Sequence, residues 1–140
     1  MRLVLDTDVI VAALRSPTGA SAALLEAALE GSITLLANVA LILEYEAVCM
    51  RREHQVAAGL TEPDILNFVD AIAAMAVPVE SHFNWRPQLK DPADEMVLEA
   101  AVNGQAEGIV TFNRRDYGLA PKRFGVSLWL PSQVLRKGVK

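Results

Sequence analysis

A few acidic residues stand where a solvated surface role explains them least. Asp6 ends the apolar run Leu3-Val4-Leu5, with Thr7 and Asp8 directly after it. Glu44 lies three residues after Leu41 and four before Val48, on the apolar side of a helical pattern. Asp94, with Asp91 just before it, opens another helical stretch, and Asp116 follows the apolar run Ile109-Val110. Carboxylates brought together from such positions would repel one another unless a cation neutralised them. Oxygen donors of this kind suit Mg²⁺ or Mn²⁺. A divalent ion held there can activate a water and stabilise a phosphoryl transition state.

Each acid also has a plainer role. Asp6 or Asp8 can cap the helix that follows, Asp94 can cap its own, Asp91 can serve the turn before Pro92, and Asp116 can pair with an arginine. Other chemistries find no pattern: there is no His/Cys zinc cluster, Ser-His-Asp set, Walker loop or glycine-rich dinucleotide fingerprint. His54 reads as an exposed helix end and His82 as a surface residue.

The elements that must position these acids alternate in type. Short apolar runs at 3–5, 33–36, 77–79, 107–111 and 126–130 read as strands. Pro78 assigns the third to a sheet edge. Between them lie helical patterns over 9–14, 21–29, 38 to about 54 with Asn38 as N-cap, 61–75 with Thr61 as cap, and 92–102. Residues 81–92 read as an irregular loop containing Asn84, Trp85 and Arg86, and Pro131-Ser132 opens a terminal helix. Strands apolar at every position suit a parallel sheet covered on both faces. The expected fold is therefore a three-layer α/β/α sandwich around a mostly parallel sheet of about five short strands. In such sheets ligands bind beyond the carboxyl ends of the strands, where Asp6 falls.

The chain of 140 residues is expected to be one domain, residues 1–140, with 52% hydrophobic residues to build a core. Its apolar runs are too short to span a membrane, and only three apolar residues separate Arg2 from Asp6, too few for a signal-peptide core. The lone Cys49 fits a reducing cytoplasm and a small core position. Net charge is −4, unevenly spread: residues 1–111 hold 6 Lys+Arg against 16 Asp+Glu, and 112–140 hold 7 against 1. A basic tail, from Arg114 and Arg115 through Lys122, Arg123, Arg136 and Lys137 to Lys140, suits a phosphate-bearing or acidic partner, or simply a solvated face.

Four pieces in order carry a resemblance: Leu5-Asp6-Thr7-Asp8-Val9, Asn38 with Glu44 six residues on, Asp91-Pro92-Ala93-Asp94 with Leu98-Glu99-Ala100-Ala101, and Ile109-Val110-Thr111-Phe112-Asn113-Arg114-Arg115-Asp116-Tyr117. The chain resembles PIN-domain ribonucleases of the kind found as VapC-type toxins of toxin–antitoxin pairs. The resemblance implies that Asp6, Glu44, Asp94 and Asp116 form a catalytic acidic site for Mg²⁺ or Mn²⁺. Thr111 and Asn113 would support it, with Asp8 and Asp91 as further acids, and Arg114 or Arg115 would grip RNA. Asp8 stands where the family more often has Asn, and Asn38 where it often has Ser. Some relatives place the last acid directly after the Thr; here Phe112 and Asn113 fill that stretch, so the fourth acid falls to Asp116.

The activity implied is metal-dependent cleavage of RNA phosphodiesters by a cytoplasmic, homodimeric toxin with a cognate antitoxin protein. Two competitors differ in class. A phosphomonoesterase would use Asp6 and Asp8, which have its nucleophile–acid spacing, though the lysine and Ser/Thr loop it needs are not evident. A non-catalytic module would bind an antitoxin or itself and hold no divalent ion.

Overall fold

The computed structural model describes residues 1–80 and 87–137. His82, Asn84, Trp85, Arg86 and Lys140 lie outside the described residues. Strand β1 (Arg2–Leu5) is followed by α1 (Thr7–Arg15), α2 (Ala20–Leu29), β2 (Thr34–Ala37), α3 (Val39–Cys49), α4 (Arg52–Ala58), α5 (Glu62–Met75) and β3 (Val77–Pro78). Then come α6 (Pro92–Asn103), β4 (Gly108–Val110), the single turns α7 (Arg114–Tyr117) and α8 (Ala120–Arg123), β5 (Ser127–Trp129) and α9 (Pro131–Arg136).

The strands form one sheet in the order β3-β2-β1-β4-β5, and every pairing is parallel. Leu3 pairs with Leu35 on one side and Gly108 on the other, and Leu5 faces Val110. Leu3, Val4, Leu5, Ile109 and Val110 are almost wholly buried, as strands covered on both faces must be. Helix α6 lies against β1, β2 and β4, while α1 packs on α2, α3 and α4. The chain builds outward from β1 through β2 to β3, then returns to the other side of β1 with β4. That reversal makes a switch point at the carboxyl ends of β1 and β4, the usual place for a ligand in this architecture.

Local chemistry explains the boundaries. Asn38 caps α3 by accepting from the Leu41 amide at 2.8 Å. Thr61 and Asp64 form a reciprocal capping box on α5, with Pro63 in the first turn. β3 with its proline is the sheet edge. Gly108 has no room for a side chain, since a Cβ there would stand 2.4 Å from the Trp129 ring.

The long helix expected from 38 to about 54 is instead two. It stops at Met50, Arg51 is extended, and the Gln55 side-chain amide donates to the Met50 carbonyl at 2.8 Å, satisfying it where the helix leaves it free. His54, expected at an exposed end, falls inside α4 with its side chain only 12% exposed and 3.9 Å from Glu53. Among the described residues, no helix is long and apolar enough to cross a membrane.

Candidate metal centre

Asp6 follows β1 at the switch point and is the N-cap of α1, its Oδ1 accepting from the Thr7 amide at 2.8 Å. Its own amide donates to the Val110 carbonyl of β4 at 2.9 Å. The buried Thr111 hydroxyl donates to Asp6 Oδ2 at 2.7 Å, tying the two strand ends together through the carboxylate. The capping bond through Oδ1 thus leaves Oδ2 to the Thr111 hydroxyl. Behind it, the Tyr45 hydroxyl of α3 donates to the Leu5 carbonyl.

Asp8, in the first turn of α1, reaches the chain beyond β4. Its Oδ2 accepts from the Phe112 amide at 3.1 Å and the Asn113 side-chain amide at 2.9 Å, with the Thr111 hydroxyl at 3.4 Å. Asp91 is the cap of α6, accepting from the Ala93 amide at 2.9 Å; Asp94, for which a cap was also weighed, sits one turn further in with its carboxyl free of that duty. Asp116 lies on the α7 turn, not in an open loop, and is exposed.

The electrostatics bind these acids into one group. Burial raises the Asp6 carboxyl above its ordinary range, and the Asp116 charge adds to the rise. Burial and the Asp6 charge push Asp8 up to about 6. Burial and the charges of Asp6, Asp91 and Asp116 push Asp94 up to about 6. Tyr117, which sequence reasoning left without a role, has its buried hydroxyl beside both Asp6 and Asp94. Burial and those two charges hold it firmly protonated. Asp8 Oδ1 is buried and meets no partner among the described residues. An aromatic carrying a hydroxyl within so polar a turn was the available signal, because buried tyrosines ordinarily find a partner.

Asp91, Asp94, Asp116 and Tyr117 line a cleft of about 550 Å³ together with Lys90, Arg115 and Arg123. Glu95 shapes one wall, its carboxylate accepting from the backbone amides of Gln88 and Leu89. Lys90 and Arg123 were not singled out as site residues, although Arg123 belongs to the basic tail. Arg114 is exposed on the same turn as Arg115.

The buried face of α3 is Leu41, Tyr45 and Cys49, and Glu44, the remaining predicted acid, is half-buried on its flank. Cys49 is a core residue as expected, its thiol pushed up to about 11 by burial.

The donor set fits a hard divalent cation. It is made of carboxylate oxygens, and among the described residues no lysine or arginine forms an ion pair with Asp6, Asp8, Asp94 or Asp116. The repulsion is therefore left standing within the protein itself. Among the described residues no three His, Cys, Asp or Glu side chains already converge as a cage, so the group is electrostatic rather than a preformed coordination shell.

A family model described as PIN domain matches residues 2–115. No curated protein and no solved structure matches the chain.

Proposed function

Because the chain belongs to the PIN-domain family, a family of typically metal-dependent nucleases, we propose that it is a Mg²⁺- or Mn²⁺-dependent endoribonuclease. The observation that carries this reading is the switch-point cluster, in which Asp6, Asp8 and Asp94 are all raised by burial and by neighbouring negative charge. Asp6, Asp94 and Asp116 would hold the cation directly or through water, with Glu44 as the fourth acid. When bound, such an ion acidifies a water and offsets the charge that gathers on the phosphate in the transition state. Thr111 keeps the Asp6 carboxylate oriented through its 2.7 Å hydrogen bond. Arg115 and Arg123 at the cleft, with Arg114 beside them, would take the phosphates of the RNA backbone.

A phosphomonoesterase working through Asp6 and Asp8 has less support. One Asp8 oxygen is committed to donors from residues 111–113, and the other is buried.

We also infer the finer role of a cytoplasmic toxin with a cognate antitoxin, acting as a homodimer. Val39 (76% exposed) and Leu43 (58% exposed) line an apolar groove of about 280 Å³ beside Pro78, which supports an interface. The test is calorimetric titration of Mg²⁺ and Mn²⁺ into metal-free protein and into Asp6→Asn, followed by cleavage of single-stranded RNA. Binding that weakens in the variant, with cleavage lost, is expected. Wild-type protein that neither binds these ions nor cuts RNA overturns the nuclease reading in favour of a binding module.

A further inference from the structure

The turn between β4 and α7 has functional groups at both ends: Thr111 against Asp6, and Arg115 with Asp116 at the cleft. A short polar turn of this kind has little of its own to fix it. The Thr111 amide donates to the Trp129 carbonyl at 2.9 Å, the Asn113 amide donates back to Thr111 Oγ1 at 2.9 Å, and three side-chain or amide donors of residues 111–113 meet at one atom, Asp8 Oδ2. That oxygen takes the Phe112 amide, the Asn113 side-chain amide and the more distant Thr111 hydroxyl. A carboxylate oxygen offers about two lone-pair directions, so Oδ2 has none left over for another ligand. Phe112 is about half exposed, so packing does not hold the turn. The pin comes from the first turn of α1, two residues beyond Asp6, so one helix start governs both strand ends.

We propose that Asp8 is a positioning residue: its carboxylate, through Oδ2, clamps residues 111–113 and so sets Asp116 and Arg115 against Asp6 and Asp94. The proposal rests on the nuclease reading for its purpose but on the hydrogen bonds for its geometry. It makes a distinction between two substitutions. Asparagine keeps a carbonyl oxygen where Oδ2 stands and can accept the same donors, whereas alanine accepts none.

The experiment compares wild type, Asp8→Asn and Asp8→Ala by two readouts, after circular dichroism has shown each to be folded. One is hydrogen exchange of the Phe112 amide by NMR in metal-free protein; the other is Mn²⁺ affinity by titration. In Asp8→Ala, the Phe112 amide should exchange about tenfold faster or more, and Mn²⁺ affinity should fall about tenfold, the scale of one lost charge-assisted hydrogen bond. Asp8→Asn should keep Phe112 protection within about threefold of wild type. Unchanged Phe112 protection in Asp8→Ala overturns the clamp, and so does protection lost in Asp8→Asn as fully as in alanine. If wild type binds no Mn²⁺, the nuclease reading fails, and the amide readout alone still decides whether Asp8 holds the turn.

Discussion

The two ends of the sheet are built on opposite electrical plans. At the amino end, Arg2 donates its guanidinium to the Gly104 carbonyl at 2.7 Å and its amide to Glu107 Oε1 at 3.4 Å, while the Glu107 amide returns to the Arg2 carbonyl. Each charged side chain there meets a backbone group near solvent, and Gly108 sits tight under the Trp129 ring. At the carboxyl end, Asp6, Asp8 and Asp94 are raised by burial and like charge, and Asp8 Oδ1 is buried with no partner among the described residues. The first end is arranged for stability. The second gathers like charge that no lysine or arginine among the described residues pairs.

The largest separation between the ends should appear in Asp6→Asn. Asparagine is itself a good N-cap, so circular dichroism should show a folded protein while RNA cleavage falls by about 100-fold or more. Cleavage at the wild-type rate would remove Asp6 from the chemistry. At the amino end, Gly108→Ala should act in the reverse way, costing about 1–3 kcal/mol in urea unfolding through overpacking against Trp129, with Mn²⁺ affinity of the folded protein unchanged.

Smaller, but of diagnostic sign, is the pH dependence of the metal-free protein. Asp8 and Asp94 titrate near 6 when folded, against an ordinary value of 3.8. Between those limits the folded state binds more protons than the unfolded one, so stability falls as pH rises through the window and levels off above it. The melting temperature should therefore climb as pH is lowered from 7 to 5, and saturating Mn²⁺ should cancel or reverse that climb. Asp64, lowered by its bonds to Thr61, has the opposite sign but acts below this window. A melting temperature that falls monotonically from pH 7 to 5 without metal would contradict the repulsive cluster. Least of all, Arg2→Ala should cost within about 1 kcal/mol, as exposed polar contacts do, and leave Mn²⁺ titration curves superimposable on wild type.

Much of this contrast was legible in the amino-acid order. Leu3-Val4-Leu5 broken by Asp6 announces both a buried strand and an acid at its end, because burial on two faces permits no polar alternation. Asn38 and Thr61 announce helix starts through side chains that can accept from the backbone two or three residues on. The break at Met50 was not legible, since apolar spacing runs on through it and the compensating bond comes from Gln55, five residues away. The α7 and α8 turns are too short to show a period. Glu44 was read as sharing an apolar face that proved narrower, confined to Leu41, Tyr45 and Cys49. Tyr117 was signalled only as a hydroxyl in a polar turn, because its place beside Asp6 is made by folding across more than a hundred residues, which that pattern does not record.

The strand order also sets a timetable. β1, at the middle of the sheet, is synthesised about a hundred residues before its neighbour β4 at Gly108–Val110. At about 5–20 residues per second of synthesis, β1 waits several seconds with one edge unpaired. Through that interval Asp6 has no Thr111 to orient it, and Asp116 does not yet exist. A ribosome-bound chain therefore carries the first acid long before it can carry the assembled cluster.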